Sequence, residues 1–565
     1  MGNFGRNITD NIFLAQEIIR NYARARISPR CAIKVDLKKA YDTISWSFLE
    51  QVLNGLGFPP IFTSWVMECV SSASYSICIN GSLQGKFPGK RGLRQGDPMS
   101  PALFLLCMEY LSRLLNVRTN TSDFKFHPRC EALKITHLAF ADDLMLFSKG
   151  DLPSVKILID CLNEFKNASG LDVNSFKSNI FTAGIIGDKL DNILNLLNFP
   201  LGSLPVRYLG VPLAAQKLNV NHYAPLYDRI ASYINKWTAN SLSYAGRLLL
   251  IKSVLQGVEC FWLQIFPLPN TVIDRITRLC RVFLWGKNTS PIKWTKVCLP
   301  SDEGGLGLRD VHSWNKALLA KILWNIHSKA DSLWVRWVHS FYLKNQSIWT
   351  WDPKKTDSYL LKRICDIRND ILAKFGSPDL AITNLSLFSN FKGLCSSKIY
   401  DIFRDSGPKT FWHSVVWKNF IPPKYSFCVW LAINDRLATI NNLKYLDLDP
   451  NCKLCGNYLE NASHLFFDCI VTRLLWDRVK KWLKFSHSMG TIAGALKWTK
   501  KEQAAPALKK ARLVAVCCTI YQIWKARICQ VFEGLNFSED TVFHKIQKDV
   551  YKVVFNHFPV ELVDF

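Results

Sequence analysis

The sequence predicts an α+β protein in which a mixed helix-and-strand domain precedes long helical segments. In the first 183 residues, short alternating segments form hairpins between helical patterns, as in antiparallel α+β domains and unlike a doubly wound sheet. From about residue 184 helical periodicity dominates. Closely spaced cysteines and a histidine within residues 452–469 indicate a small additional module held by a metal ion.

The elements of the first domain follow from apolar spacing and from the residues that end each element. Helical spacing is found in four segments, namely residues 1–30, 46–57, 101–115 and 155–170. Strand-like alternation is found in three segments, namely residues 31–36, 74–87 and 133–148. Asn80-Gly81 is typical of a two-residue hairpin turn. Residues 171–181 are expected to return as strand or loop.

The downstream part is predicted to be helical to about residue 345 and more irregular and polar over 346–410. The segment after residue 471 is basic and is expected to be helical. Residues 471–530 hold 13 Lys or Arg against two acidic residues, Asp477 and Glu502.

Composition restricts the class of protein. The chain has 565 residues with a formal net charge of +26, so a polyanionic partner is expected, and nucleic acid is the simplest one. A hydrophobic content of 48% argues against wholesale disorder. The 18 scattered cysteines indicate reduced thiols and a metal site in a chain without an apolar signal core. We expect a soluble, intracellular protein, nuclear or cytoplasmic, without a membrane partner.

Three aspartates are placed to hold metal ions. Asp36 ends a predicted strand, and Asp142 and Asp143 occupy a turn between two apolar segments. Adjacent aspartates alone are a weak signal, but like charges held at a hairpin need a cation or a proton to be tolerated. Carboxylates from two strands can hold two Mg²⁺ ions, as phosphoryl transfer to a nucleotide requires.

A second metal site is predicted near the C-terminus. Cys452, Cys455, His464 and Cys469 have the spacing Cys-x2-Cys-x8-His-x4-Cys. Three thiolates and one imidazole fill a tetrahedron, so we expect a closed, structural Zn²⁺ site. The alternative is that the three thiols and the imidazole are simply buried and bind no metal ion.

The motifs resemble, in order, those of the reverse transcriptases of plant LINE-type, non-LTR retrotransposons. The first three palm motifs of that family are similar to VDLKKAYD, GLRQGDPMSP and FADD. The fourth motif, and the element leading into the thumb, are similar to GLDVNSFKSNIF and LPVRYLGVPL. The segment around the cysteines resembles the zinc-binding domain that follows such polymerases. The resemblance implies RNA-directed DNA synthesis with an RNA template, a DNA primer, deoxynucleoside triphosphates and two Mg²⁺ ions.

The resemblance also assigns roles to single residues. Asp36, Asp142 and Asp143 would hold the metal ions, and Tyr41 would be the steric gate under the sugar of the incoming nucleotide. Further contacts with nucleotide, template or primer would come from Gln95, Gly96, Phe140 and Lys177. For each of these the alternative is structural: a core aromatic for Tyr41 and Phe140, a plain turn for Gln95-Gly96, and a solvated side chain for Lys177.

The expected domains are a right-hand palm with partial fingers over 1–183, a helical thumb or connection over 184–345, a linker over 346–409, a zinc-binding domain over 410–480 and a basic helical tail over 481–565. Relatives carry an endonuclease and fuller fingers ahead of the matching segment. A retroelement remnant that binds nucleic acid without catalysis is therefore the second hypothesis. A purely zinc-dependent interaction protein is the third, and it leaves the palm motifs unexplained.

Overall fold

The computed structural model describes residues 7–24, 26–238, 242–286, 289–390, 393–443 and 449–558. Its first part mixes helices and antiparallel strands. The helices are α1 (Ile8–Ile19), α2 (Ala40–Thr43), α3 (Trp46–Gly55), α4 (Pro60–Ser71), α5 (Ser100–Arg118), α6 (Leu152–Ser169) and α7 (Asp188–Leu197). The strands are β1 (Arg30–Asp36), β2 (Ser74–Ile79), β3 (Ser82–Pro88), β4 (His137–Phe140), β5 (Asp143–Ser148), β6 (Asn179–Ala183), β7 (Val206–Tyr208) and β8 (Val211–Leu213).

The remainder is almost entirely helical in the part of the chain that the structure describes. The helices up to residue 395 are α8 (Ala224–Thr238), α9 (Tyr244–Leu250), α10 (Gln256–Ile265), α11 (Asn270–Trp285), α12 (Trp294–Cys298), α13 (Val311–His327), α14 (Leu333–Val338), α15 (Tyr359–Phe375) and α16 (Pro378–Ser386). Two short paired strands follow, β9 (Ser389–Asn390) and β10 (Gly393–Leu394). The last helices are α17 (Ser396–Phe403), α18 (His413–Val416), α19 (Pro423–Ile433), α20 (Ile470–Trp482), α21 (Ile492–Lys501), α22 (Pro506–Glu533) and α23 (Glu539–Phe555).

The chain divides into two compact units that are both discontinuous in sequence. Unit 1 comprises residues 1–222, 264–267 and 318–395. Unit 2 comprises residues 223–263, 268–317 and 396–565.

Unit 1 is built on a four-stranded antiparallel sheet with strand order β4-β5-β1-β6. Alternation along the central strand separates its two faces. Ile33 and Val35 pair with Leu146 and Leu144 in a core that α3, α5 and α6 cover. Lys34 and Asp36 therefore project from the opposite face.

One predicted turn and one predicted helix end are confirmed in this unit, whereas the helix predicted over residues 1–30 is limited, among its described residues, to Ile8–Ile19, and α4 was not predicted. The β2–β3 hairpin turns at Asn80 and Gly81, which have φ values of +50° and +82°, as a type I′ turn requires. Helix α6 ends at Gly170, whose φ of +80° is the left-handed cap that glycine favours.

The segment expected to be a linker is folded. Helix α15 buries Leu361, Ile364 and Ile371 on one face, and these positions follow helical spacing. The polar composition of 346–409 partly reflects the solvated faces of α15, α16 and α17, while residues 346–358 and 404–409 form turns and loops, as the sequence predicted. The segment is also split between the units, because residues up to 395 belong to unit 1.

Unit 2 is helical and holds the cysteine-rich segment. The 28-residue helix α22 packs against α19, α20, α21 and α23. The predicted helical character of the C-terminal segment is confirmed by α21, α22 and α23.

One helical stretch among the described residues, Tyr244–Ile265, is long and apolar enough to cross a membrane. A single stretch of this kind is weak evidence, because core helices of globular proteins have the same length and composition.

Candidate active site and metal-binding cluster

The central sheet brings two of the three aspartates side by side. Asp36, the last residue of β1, lies directly opposite Asp143, the first residue of β5, in the antiparallel ladder. Phe140 of β4 lies opposite Asp143 from the other side. The three residues form a row across three adjacent strands, and opposite residues of such a ladder have Cα atoms about 4.5–5.5 Å apart.

The third aspartate lies in the turn between β4 and β5. Ala141 and Asp142 form this two-residue turn, and Ala141 has a φ of +51°, a conformation uncommon for a residue with a Cβ atom. Asp142 is exposed, while Asp143 is half-buried. The tight turn thus holds Asp142 next to the paired carboxylates of the sheet.

The electrostatics of the row show that the carboxylates act on one another. Burial raises the pKa of Asp143, and the negative charges of Asp142 and Asp36 raise it further. Lys34, two residues before Asp36 on the same strand face, lowers it. A cation bound between these oxygens would relieve the repulsion, so the donor set fits a hard divalent ion.

The loop before β6 is fastened to Asp36. The Asp36 amide donates to the hydroxyl of the buried Ser178 (3.0 Å), and the Asn174 amide donates to the Asp36 carbonyl (2.8 Å). Lys177 lies between these two anchors and is exposed. The backbone therefore brings Lys177 to the end of β1 and leaves its side chain in solvent.

The loop that carries Gln95 and Gly96 docks on the segment following Asp36. The amides of Gly92 and Leu93 donate to the carbonyls of Ile44 and Tyr41, each at 2.7 Å. A Cβ atom on Gly92 would lie 2.7 Å from the Asp42 carbonyl oxygen, and its φ is +89°, so glycine is required there.

The tip of this loop is open. Gln95 is exposed, and Gly96, with a φ of +90°, has no atom within 4 Å of where its Cβ would be. Such a tip can be approached closely by a ligand.

Tyr41 lies beside the aspartates. Its ring stacks on Phe104 at a centroid distance of 5.0 Å, and its pKa is raised by burial and by the charge of Asp142. Tyr41 is only half-buried, so packing against Phe104 fixes the ring without removing it from solvent.

Three residues of the site were not predicted from the sequence. Lys34 could have been identified from strand alternation, since it shares a face with Asp36. Gly92 and Ser178 act through long-range contacts with Asp42 and Asp36, and no local pattern distinguishes them from ordinary loop residues.

The four predicted zinc ligands converge. The ligand atoms of Cys452, Cys455, His464 and Cys469 all lie within 4.8 Å of one another, and Cys455 Sγ is 3.3 Å from His464 Nε2. Within the described ranges, no other group of three or more His, Cys, Asp or Glu residues meets that spacing. The three aspartates are therefore more widely spread than the cysteine-rich set.

Local backbone geometry shapes this cluster. The Gly456 amide donates to the Cys452 carbonyl (2.7 Å), and Gly456 has a φ of +77°, which closes the Cys-x2-Cys turn. Amides of Leu454 and Cys455 point at the Cys452 sulfur, and amides of Val471 and Thr472 point at the Cys469 sulfur. Amide donors of this kind stabilise thiolates.

A buried ion pair connects the cluster to helix α22. Glu460 is fully buried, and its carboxylate accepts from Arg527 Nη2 at 2.7 Å and from the Ile440 amide at 3.0 Å. Gln530 of the same helix donates to the Lys453 carbonyl at 2.7 Å. The cysteine-rich turn is thus held by α22 from two points.

Two protein-family models match parts of the chain. Residues 4–213 match the family described as reverse transcriptase (RNA-dependent DNA polymerase). Residues 395–476 match the family described as zinc-binding in reverse transcriptase. The chain therefore contains a reverse transcriptase domain followed by the zinc-binding domain of such proteins, and these two parts of the predicted resemblance are confirmed, while a plant origin stays a prediction.

Relatives point to non-LTR retrotransposons. The chain is 28% identical over 352 residues to the transposon TX1 uncharacterized 149 kDa protein of Xenopus laevis, covering 60% of this chain and 26% of that protein. It is 27% identical over 297 residues to the Pol polyprotein of the retrotransposable element R2DM of Drosophila melanogaster, covering 48% and 26%. A putative ribonuclease H protein of Arabidopsis thaliana is 36% identical over 129 residues, covering 22% and 21%.

The chain thus spans about a quarter of the length of these relatives. Among solved structures, a telomerase from Candida albicans is similar with a TM-score of 0.32 and 12% identity, covering 66% of this chain and 50% of that one.

Proposed function

We propose that this chain is the polymerase part of a non-LTR retroelement protein and catalyses RNA-directed DNA synthesis at Asp36, Asp142 and Asp143. The observation that carries the proposal is the ladder register, which sets Asp36 opposite Asp143 with Asp142 in the adjoining turn. Three carboxylates from two neighbouring strand ends are the ligand set that nucleotidyl transfer uses.

The carboxylates would hold two Mg²⁺ ions. Asp36 and Asp143, which face each other in the ladder, and Asp142 in the adjoining turn would supply the carboxylate oxygens. Three aspartates that surround two ions about 3.5–4 Å apart need not converge as closely as the ligands of a single ion. Bound ions would stabilise the negative charge on the attacking primer oxygen and on the leaving pyrophosphate.

Residues around the aspartates would position the reactants. Tyr41, fixed by Phe104 and near Asp142, would lie under the sugar of the incoming nucleotide and exclude a 2′-hydroxyl. The open tip at Gln95 and Gly96 would approach the nucleotide and template. Phe140, in the same strand row as Asp143, would pack beside the primer end, and Lys177 would contact the leaving phosphates.

The surrounding architecture in this proposal is a polymerase palm with partial fingers in the first part of unit 1. Helices further along the chain would supply a thumb and connection. The net charge of +26 suits an RNA template and a DNA primer, and deoxynucleoside triphosphates are the substrates.

The cysteine-rich cluster would hold one structural Zn²⁺. Cys452, Cys455, His464 and Cys469 provide four donors within 4.8 Å of one another, which leaves no position for water in a tetrahedral site. The zinc ion would stabilise the folded cysteine-rich turn, which Gln530 and Arg527 of α22 contact.

Primer extension on an RNA template tests the proposal. The purified chain should extend a DNA primer with Mg²⁺, and Asp143→Asn should abolish extension. Asp172→Asn is the matched control, because Asp172 pairs with Lys38 (3.1 Å) and Lys166 (2.9 Å) outside the row. Equal activity of the Asp143→Asn variant would overturn the assignment. No extension by the parent chain, with nucleic-acid binding retained, would favour the non-catalytic remnant.

A further inference from the structure

Unit 2 contains a cavity of about 310 Å³ that the reaction does not use. Its walls come from three helices that are distant in sequence, α9, α19 and α22, and from the residues beside them. The residues on which the argument depends are Tyr244, Arg247, Lys424, Phe427, Tyr521, Trp524 and Lys525.

The charge of the lining has one sign. Arg247, Lys424 and Lys525 line the cavity, and the lining includes no Asp or Glu. Lys424 and Lys525 are exposed and form no ion pair with any residue that the structure describes. Two cations at the mouth are thus available to an anion.

Asp549, on α23, accepts hydrogen bonds from side chains that do not line the cavity. The carboxylate of Asp549 accepts from the Tyr425 hydroxyl at 2.6 Å and from Gln522 Nε2 at 2.9 Å. Among the residues that the structure describes, Asp549 forms no ion pair with Lys424 or Lys525.

The apolar part of the lining consists largely of flat rings. Tyr244 and Phe427 stack with a centroid distance of 5.6 Å and an interplanar angle of 21°. Tyr521 and Trp524 belong to the lining, are half-buried and stand one helical turn apart on α22. Lys424 Nζ lies 5.5 Å from the centroid of the Tyr521 ring, so a cation and a ring share one corner of the cavity.

We propose that this cavity binds one unpaired nucleotide, with its base against the rings and its phosphate between the lysines at the mouth. Rings with adjacent cations are how proteins bind unpaired bases, because stacking tolerates any base and the cations hold the backbone. A purely apolar ligand would leave the cations unused, and inorganic phosphate would leave the rings unused. The residues that line this cavity belong to unit 2, whereas the aspartate row belongs to unit 1.

The same chemistry is offered by a free mononucleotide and by an unpaired nucleotide within a strand. Photocross-linking on the full chain distinguishes them. One probe is a short single-stranded oligodeoxythymidylate that carries one 5-iodouracil, and the other is 5-iodo-dUMP alone. Both react with aromatic side chains that touch the base, and peptide mapping locates the product.

Cross-links are expected on peptides containing Tyr521 and Trp524. Lys525→Glu and Lys424→Glu should each lower the yield at these peptides by about tenfold, a loss comparable to that of one base contact. Both lysines are exposed, so neither substitution disturbs the core. Lys500→Glu makes the same charge change on an exposed position of α21 and should leave the yield unchanged.

The two probes distinguish a nucleotide within a strand from a free mononucleotide. A product with the strand alone identifies an unpaired nucleotide within a nucleic acid, and a product with both probes identifies the mononucleotide. An abasic strand of equal length should compete about tenfold more weakly than the intact strand, because it cannot stack. The proposal is overturned if no lining peptide is cross-linked. It is also overturned if Lys500→Glu lowers the yield as much as Lys525→Glu. None of these readouts depends on polymerase activity.

Discussion

Replacing Arg527 by Leu should destabilise the cysteine-rich module more than any surface substitution in unit 2. Glu460 and Arg527 are 0% and 3% exposed, and the guanidinium supplies two donors to the carboxylate, at 2.7 and 3.3 Å. Arg527→Leu would leave Glu460 buried without a counter-charge. Breaking a buried pair from one side costs about 3–5 kcal/mol.

The structure narrows this range. Amides of Ile440 and Lys453 also donate to Glu460, at 3.0 and 3.4 Å, and they remain after the substitution. We therefore expect a loss near the lower limit, about 3 kcal/mol. Glu460→Met combined with Arg527→Leu should cost less than Arg527→Leu alone, because no charge is then left buried.

Hydrogen–deuterium exchange of the zinc-loaded chain measures this locally, since a chain of two units does not unfold in one step. Amides of residues 449–460 should lose about 3 kcal/mol of protection in Arg527→Leu, and zinc should be removed by a competing chelator at lower chelator concentration. Amides of β1 and β5 serve as the internal control. Unchanged protection of 449–460 would refute the view that this pair holds the module.

Four further outcomes follow from the geometry. Tyr41→Ala should admit ribonucleotides in primer extension without changing the circular dichroism spectrum; unchanged sugar discrimination by an active variant would exclude the gate. Gly92→Ala should destabilise unit 1 by roughly 1–3 kcal/mol in thermal unfolding, because its Cβ would lie 2.7 Å from the Asp42 oxygen. Cys455→Ser should release zinc and unfold residues 449–469, as metal analysis and exchange would show, while β1 and β5 stay protected. Burial raises the pKa of Glu259 from 4.5 to about 8, so its carboxyl is protonated in the folded state at pH values where the unfolded chain is ionised. Stability of unit 2 should then fall with rising pH between about pH 5 and 8, by at most roughly 1.4 kcal/mol per pH unit, and Glu259→Gln should remove this slope in urea titrations.

Turns, helix ends and the zinc-binding motif could be predicted from the sequence. Which strands pair with one another could not. Asn80-Gly81 and Gly170 specify their turn and cap through their own backbone preferences, and the four zinc ligands lie within 18 consecutive residues. The apolar flanks of Asp142 and Asp143 predict a hairpin. That β1 pairs with β5 in the register that joins Asp36 to Asp143 depends on residues more than 100 positions apart.

The expected linker shows how composition misleads. Residues 346–409 are rich in polar groups, but α15 needs only one apolar face in seventeen residues to pack. The sequence also did not predict that residues 318–395 belong to the same unit as residues 1–222. No sequence pattern indicates which surface a distant helix covers.

The discontinuity of unit 1 has a consequence for synthesis on the ribosome. Trp334 is 1% exposed and packs on Phe13, Trp337 donates to the Arg129 carbonyl (2.7 Å), and Tyr342 donates to Glu17 (2.8 Å). These contacts join residues made early to residues that are made only after the whole of 223–317 has been translated. At typical elongation rates of about 5–20 residues per second, roughly 9–35 s pass between the synthesis of residue 222 and that of residue 395, when the last part of unit 1 becomes available. A fragment ending near residue 213 would lack Trp334, which packs on Phe13, and Tyr342, which donates to Glu17, so part of its surface would stay uncovered.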